Sequence, residues 1–137
     1  MATPITIETT IAVPVEIVWQ LWTDPEHITQ WNNASPDWRT PSSENDVRPG
    51  GKFKATMAAK DGSVSFDFEG TYSEVVENQL IKYNIADGRA VTVIFEDLDE
   101  ETKITETFEP ESTNPVEMQR GGWQAILDNF KTYAVAQ

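Results

Sequence analysis

The sequence predicts an α+β domain in which one long C-terminal helix packs against an antiparallel β-sheet. Two Asp-Gly pairs, at 61–62 and 87–88, each separate two segments rich in β-branched and aromatic residues, a pattern typical of tight hairpins. A helix with one apolar stripe can bury it only against the apolar face of a sheet, so the two layers belong together. The stripe lies near the end of the chain, at Trp123, Ile126, Leu127, Phe130 and Ala134.

The composition limits the classes of function. A chain of 137 residues is long enough for one sizeable core, so we expect residues 1–137 to form a single domain. Ten Lys and Arg residues against 23 Asp and Glu residues give a net charge of −13, which repels phosphate backbones and anionic lipids. We therefore expect no nucleic-acid partner, whereas a basic protein or a neutral or cationic small molecule is compatible with this charge.

The sequence contains neither cysteine nor a recognisable targeting segment. The missing cysteine excludes disulfides, thiol catalysis and thiolate metal sites. The N-terminal residues MATPITIETT lack the basic and apolar regions of a signal peptide. No apolar run approaches the roughly 20 residues that a membrane helix needs. These features predict a cytoplasmic protein that does not insert into membranes.

The first part of the chain predicts one strand followed by two short helices. Residues 5–12 alternate β-branched and polar side chains, which is typical of a strand. Asp24 and Pro25 then provide a cap and a first residue for the second helix, which carries Trp31. The first helix is predicted from one apolar stripe at helical spacing, formed by Val15, Val18, Trp19 and Trp22.

The segment 32–50, with the sequence NNASPDWRTPSSENDVRPG, is rich in Asn, Ser and Pro. This composition predicts a long loop. Trp38 and Val47 are the obvious inward anchors within it.

The two hairpins differ in how well their registers are defined. The Asp61-Gly62 turn predicts a register in which small residues face large ones: Met57 with Phe66, Ala55 with Phe68, and Phe53 with Gly70. The inward face of the Asp87-Gly88 hairpin is ambiguous, because two sets of residues fit: Leu80, Val91, Val93 and Phe95, or Ile81, Tyr83 and Ile94. With a further strand in TKITETFEPE, the sheet should contain six or seven strands.

The last predicted element is the long C-terminal helix. Asn114 is its expected cap and Pro115 its expected first residue. Gly121 and Gly122 near its start cost about 1 kcal/mol each relative to Ala. They indicate either the close approach of another backbone or a ligand, or a frayed or kinked first turn.

Several stretches resemble one known superfamily. WQLWTDPEHITQW, the GGKF after a loop, FEGTYSEVVENQLIKY and GGWQAILDNFKTYA are similar to the START-like (SRPBCC) superfamily. Within it they are most similar to the C-terminal domain of the activator of the heat-shock-protein-90 ATPase, over roughly residues 5–135. The resemblance implies a helix-grip fold: a curved antiparallel sheet wrapped around the long C-terminal helix, with two short helices after the first strand. It also implies an apolar cavity between sheet and helix, and no family-wide catalytic residue.

The candidates for the lining of such a cavity are taken from the hairpins, from the tryptophans near the loop and from the C-terminal helix. They are Trp31, Trp38, Met57, Phe66, Phe68, Tyr83, Phe95, Met118, Gly122 and Ile126. Aromatic walls with a few polar groups suit a drug-sized apolar ligand. The alternative, a dry core in which these rings pack on one another, stays open at this point. The residues assigned to the core are Trp19, Trp22, Trp123, Leu127 and Phe130.

No catalytic or metal-binding constellation can be assembled from the sequence. His27 is the single histidine, and its neighbour Glu26 points about 100° away on a helix, so the two do not converge on a metal. We expect no metal, no cofactor and no catalytic residue. A buried Arg at position 48, 89 or 120 would indicate a carboxylate-bearing ligand, whereas a surface Arg would pair with one of the many acids.

Three hypotheses of function follow. The favoured one is non-catalytic binding of a hydrophobic or aromatic small molecule, such as a lipid or polyketide-like compound, in the cavity. The second is a protein–protein module resembling a chaperone ATPase activator, whose acidic surface would engage a basic partner. The third is an enzyme of cyclase or aromatase type, in which Tyr or Arg would polarise a carbonyl group.

Overall fold

A computed structural model describes residues 3–33, 37–112 and 114–137. Within these ranges the chain forms three helices and one seven-stranded sheet. The elements are β1 (Ile5–Ile11), α1 (Val15–Thr23), α2 (Pro25–Trp31), β2 (Trp38–Asn45), β3 (Lys52–Ala59), β4 (Ser65–Val76), β5 (Leu80–Ile85), β6 (Ala90–Asp97), β7 (Thr102–Phe108) and α3 (Val116–Val135). No helix in the described ranges combines the length and hydropathy that a bilayer span requires.

The sheet is antiparallel throughout, with the strand order β1-β7-β6-β5-β4-β3-β2. It curls into a half-barrel around α3, and this arrangement confirms the predicted α+β helix-grip fold. At one edge of the sheet α3 packs against β1, and at the other edge α2 packs against β2. Because α1 and α2 also contact α3, the three helices together cover the concave face of the sheet.

The register of the first hairpin is confirmed. Met57 pairs with Phe66, Ala55 with Phe68, and Phe53 with Gly70. A β-carbon at Gly70 would lie 2.8 Å from Cζ of Phe53 and even closer to the carbonyl oxygen of Asn84. The Phe53 ring therefore crosses the strand over a position that only glycine can occupy.

The second hairpin has an inward face that neither predicted set described. The register pairs Ile81 with Val93 and Tyr83 with Val91, so the inward residues come from both sets. Ile94, which was a candidate for the inward side, is exposed on the convex face. The two strands of an antiparallel pair must share a face at each paired position, and that constraint resolves the ambiguity.

The prediction of a long loop over 32–50 is wrong for its middle part, because Trp38–Asn45 forms β2. The strand register shifts between Arg39 and Ser42, where the intervening residues include Pro41. Proline is tolerated in a strand at an edge or at a bulge, and β2 is both an edge strand and irregular at this point. Residues 34–36 of the predicted loop lie outside the described residues.

The helix ends agree with the sequence at α2 and differ at α3. The Asp24 carboxylate accepts a 2.9 Å hydrogen bond from the amide of Glu26, so its predicted capping role is confirmed. Asn114 does not cap α3: its side chain donates to the Glu111 carboxylate, and α3 begins at Val116 without a side-chain cap. The hydrogen bond to the Glu111 carboxylate therefore holds the Asn114 side chain in the loop before α3.

Of the roles predicted for the glycine pair in α3, the close approach of another backbone and a frayed first turn are wrong, and the approach of a ligand stays a prediction. The helix runs unbroken from Val116 to Val135, so its first turn is not frayed. A β-carbon at Gly121 or Gly122 would meet no atom within 4 Å, so no other backbone approaches closely there. The two positions face open space.

The tightly packed core lies on one side of the concave face. Phe108 and Phe130 are fully buried there with residues of β1, β6 and α1. The Trp19 ring packs edge-on against Phe95, with ring centroids 5.2 Å apart. The core thus occupies the β1–β7–β6 side of the concave face. It does not fill the part of that face formed by β3, β4 and β5.

Candidate functional site

A cavity of about 480 Å³ lies between the concave face of β3–β5 and the helices α2 and α3. Ligand pockets in proteins typically measure about 300–1,000 Å³, so this space suits a small molecule. The cavity exists because α3 packs at the β1 edge and α2 at the β2 edge, so that the helices bridge the middle of the curled sheet. Gly122 lies in the lining of this space and places no side chain in it.

The sheet supplies an aromatic wall. Its rings contact one another along the strands: Phe53 lies 5.7 Å from Phe68 and 4.9 Å from Tyr83, between ring centroids. Phe66 is 48 % exposed and lies 5.8 Å from Trp38, which marks the side where the cavity meets solvent. This wall consists of Phe53, Phe66, Phe68, Tyr72 and Tyr83, with Met57 beside them.

The helices supply the opposite wall, formed largely by tryptophan. Trp22 and Trp31 lie 5.1 Å apart, and both pack edge-on against Phe130. The Trp31 indole N–H donates a 3.0 Å hydrogen bond to the carbonyl of Leu21, which fixes the ring. Trp123 stacks on Phe108 at 4.1 Å. Each of these tryptophans thus packs on the core and also lines the cavity.

Eight of the ten candidate lining residues surround this cavity. They are Trp31, Trp38, Met57, Phe66, Phe68, Tyr83, Gly122 and Ile126. Three residues that were assigned only to the core also line it: Trp22, Trp123 and Leu127. For both groups, contact with a ligand stays a prediction.

Two candidates lie elsewhere, and the prediction for them is wrong. Phe95 is 3 % exposed and is enclosed by Trp19 and Trp22 in the core. Met118 is 66 % exposed. A step of four residues advances a helix by about 400°, so a stripe drawn at that spacing drifts around the axis. Gln119 is therefore the buried residue of that turn, and it lines the cavity.

Sequence analysis missed the most unusual residue of the lining, Glu106. It lies on β7 between Val93 and Ile7 of the neighbouring strands and is 6 % exposed. Burial raises the pKa of its carboxyl group to about 8. The signal was present in the alternation of β7, where Glu106 occupies an inward position between Ile104 and Phe108.

Two tyrosines share the cavity with Glu106. The Tyr72 hydroxyl donates to the side-chain oxygen of Asn45. Burial raises the pKa of Tyr83 well above its ordinary value, and the negative charge of Glu106 raises it further. Both tyrosines line the cavity, and the effect of the Glu106 charge on the pKa of Tyr83 indicates that these two groups lie within electrostatic range of each other.

The three candidate arginines are placed differently. Arg48 and Arg120 lie on the surface in ion pairs with Asp46 and Glu117. Arg89 lines the cavity, with 22 % of its side chain exposed, but its guanidinium forms a 2.8 Å ion pair with Asp87. Its charge is therefore balanced from within the protein, as the alternative of a paired Arg predicted.

The histidine has a structural partner. Nδ1 of His27 lies 2.6 Å from the hydroxyl of Tyr133, which joins α2 to the C-terminal end of α3. In the described part of the chain, no three His, Asp or Glu side chains converge in a way that could hold a metal ion.

Comparison with known proteins identifies a family and solved structures that are similar to this chain. The model of the family described as "Activator of Hsp90 ATPase homolog 1-like protein" matches residues 12–134. The AHSA1-like protein from Aeromonas hydrophila is 44 % identical, with a TM-score of 0.92, and the match covers 98 % of this chain and 93 % of that one. Protein Chr148 from Cytophaga hutchinsonii is 52 % identical, with a TM-score of 0.83 and coverages of 94 % and 90 %.

A more distant likeness concerns the fold alone. Protein NE0264 from Nitrosomonas europaea has a TM-score of 0.81 at 20 % identity, over 95 % of this chain and 92 % of that one. No curated protein matches the sequence. From the family match and the two similar structures, the chain belongs to the family of Activator of Hsp90 ATPase homolog 1-like proteins, within the START-like (SRPBCC) superfamily.

Proposed function

We propose that the protein binds a hydrophobic or aromatic small molecule in the cavity between sheet and α3, without catalysing a reaction. The observation that carries the proposal is the cavity of about 480 Å³ walled by aromatic rings on both sides. Burying about 200 Å² of apolar ligand surface contributes about 5 kcal/mol, part of which is offset by immobilising the ligand. The family has a START-like fold, which commonly binds hydrophobic ligands.

The chemistry of the lining also favours binding over catalysis. The residues around the cavity do not include His27, the only histidine of the chain. The Tyr72 hydroxyl and the Arg89 guanidinium are already engaged with Asn45 and Asp87. A nucleophile with an adjacent base, the usual signature of covalent catalysis, is therefore not assembled among the described lining residues.

The first test is a search for the ligand on the protein itself. Native mass spectrometry of freshly purified protein should reveal a bound mass, and thermal-shift assays against lipids, sterols and flavonoids should raise the melting temperature. No bound mass together with no shift across the panel would contradict the proposal.

A matched pair of variants tests whether binding occurs in this cavity. Gly122→Leu places a side chain in the cavity, whereas Gly121→Leu places the same side chain on the exposed face of the same helix turn. Both variants gain helix propensity, so both should fold at least as stably as the wild type. We expect Gly122→Leu to weaken binding of any ligand from the panel about tenfold, the effect of overfilling a packed site. Equal affinities of the two variants would place the ligand elsewhere.

A second candidate function rests on the family description and the net charge. The family model is described by activation of the Hsp90 ATPase, and a net charge of −13 favours association with a basic protein surface. An ATPase assay on a chaperone from the same source, with and without the protein, separates this function from ligand binding. Stimulation that weakens at high salt would support the electrostatic association.

A further inference from the structure

The cavity contains a carboxyl group without a partner. No hydrogen bond or ion pair joins the Glu106 carboxyl to any residue in 3–33, 37–112 or 114–137. In the same ranges, no side-chain oxygen or nitrogen is both sealed off completely and unpaired. The Glu106 oxygens are therefore accessible, and the space next to them is the cavity that Glu106 lines.

The groups that surround Glu106 favour its neutral form, which carries a proton that it can donate in a hydrogen bond. Its neighbours across the strands, Ile7 and Val93, are apolar, and α3 presents the uncharged Gln119 and Trp123 to the same cavity. The other titratable groups of the lining are Glu44, Lys54, Tyr72, Tyr83, Arg89 and Glu111.

Most of these groups are occupied. Lys54, Arg89, Tyr72 and Glu111 are joined to Asp67, Asp87, Asn45 and Asn114, and Glu44 is exposed to solvent. No hydrogen bond from the described residues reaches the hydroxyl of Tyr83, which is half-buried. Apart from the exposed Glu44, Tyr83 and Glu106 are therefore the titratable groups of the lining that keep unused hydrogen-bonding capacity.

The protonation states of this pair define the ligand group that fits. With a pKa of about 8, Glu106 is mostly a neutral acid at pH 7 and donates one hydrogen bond. The pKa of Tyr83 is raised by burial, so its hydroxyl is also a donor. Two donors in the lining of one cavity suit an acceptor without a proton of its own, such as a carbonyl oxygen. A cationic ligand would instead require a buried ion pair, in which the desolvation cost offsets most of the attraction.

We propose that Glu106 and Tyr83 form the recognition site for a carbonyl oxygen on an otherwise apolar, ring-bearing ligand of this cavity. The inference rests on the proposed function, because it names the chemical class of the ligand that the cavity binds. Glu106 fixes the orientation of the ligand by donating its acid proton, and Tyr83 supplies the second hydrogen bond. The aromatic walls bind the rest of the molecule.

The test compares two probes of nearly the same shape by equilibrium dialysis. Acetonaphthone carries a ketone, and isopropenylnaphthalene carries a methylene group in place of the ketone oxygen. At pH 6.5 the wild type should bind the ketone about tenfold more tightly, the effect of about one well-placed hydrogen bond. Above the Glu106 pKa of about 8 this preference should fall to the few-fold that the Tyr83 hydroxyl alone contributes, because the carboxylate cannot donate.

Variants of Glu106 separate donation from packing. Glu106→Gln keeps a donor that does not titrate, so it should retain the preference for the ketone at every pH. Glu106→Met removes the acid donor, so it should keep only the few-fold preference that the Tyr83 hydroxyl contributes, and that preference should not change with pH. Tyr83→Phe should reduce the preference by a few-fold. Circular dichroism establishes that each variant is folded, and the pH profile of the wild type tests the proposal even if Glu106→Met does not fold.

The possible outcomes distinguish the two proposals. If neither probe binds the wild type, the cavity function itself fails. If both probes bind with equal affinity at pH 6.5, or if the preference does not change with pH in the wild type, the cavity function stands and the role of Glu106 is overturned.

Discussion

Glu106 shows at the scale of one residue how this site departs from a simple core. An unpaired buried polar group costs about 1–3 kcal/mol, so an apolar residue at this inward position of β7 would make a more stable protein. Its neighbours Ile104 and Phe108 follow that rule and are fully buried. A destabilising group that opens into a cavity is typical of a functional site.

The raised pKa of Glu106 makes stability depend on pH in a definite direction. The unfolded chain releases this proton near the ordinary value of 4.5, whereas the folded chain holds it up to about pH 8. Between these values the folded state binds more protons, so the stability contributed by the neutral acid decreases as pH rises, by up to about 1.4 kcal/mol per pH unit.

Urea unfolding of the wild type and Glu106→Gln across pH 4.5–8 measures this effect. We expect the wild type to lose stability relative to Glu106→Gln as pH rises. Glu69→Gln, on the exposed side of β4, controls for the loss of one negative charge from an acidic protein. Parallel stability profiles of the wild type and Glu106→Gln would show that the carboxyl is not desolvated.

At the scale of the element, α2 positions a tryptophan although it is too short to be stable alone. It has seven residues, and isolated helices of that length do not persist in water. Tertiary hydrogen bonds hold both its ends: Asn129 donates a 2.7 Å bond to the carbonyl of Trp31, and His27 bonds to Tyr133. The Asp24 cap completes the helix. The position of the Trp31 ring in the cavity wall depends on all of these contacts.

Removal of the cap should therefore affect both stability and binding. Asp24→Ala should lower the free energy of unfolding by about 1 kcal/mol, as N-cap deletions usually do. Asp24→Asn keeps the acceptor and should remain close to the wild type. Chemical denaturation measures both variants, and equal loss of stability in the two would mean that the charge, rather than the cap, stabilises α2.

The elements that the sequence predicted well are those with local signals. Asp61-Gly62 determines a turn and hence the pairing of Met57 with Phe66, and Asp24-Pro25 determines the start of α2. β2 was missed because its signal is contradicted locally by Pro41, which the sheet tolerates only because the strand is at an edge with an irregular register. Edge position is a property of the whole sheet and cannot be read from eight residues.

At the scale of the molecule, the cavity results from a mismatch between the span of the sheet and the width of the helices. The helices approach the sheet mainly at β1 and β2, with α1 also near β6, and leave the middle of the concave face to side chains. Sequence pattern identified most of these side chains as inward, but inward residues can fill a core or wall a space. The difference depends on tertiary distances, which is why Trp22 and Trp123 were assigned to the core alone.

The tryptophans offer the most direct measurement of whether the cavity binds ligands. Each of the five tryptophans gives one indole N–H signal in a two-dimensional nitrogen–proton NMR spectrum. Trp22, Trp31, Trp38 and Trp123 line the cavity, whereas Trp19 lies in the core and serves as an internal reference. On titration with a naphthyl ligand we predict saturable shifts of the four lining signals and little change at Trp19. Lining signals that stay unchanged while the ligand binds, or that move no more than Trp19, would contradict a ligand-binding cavity at this place.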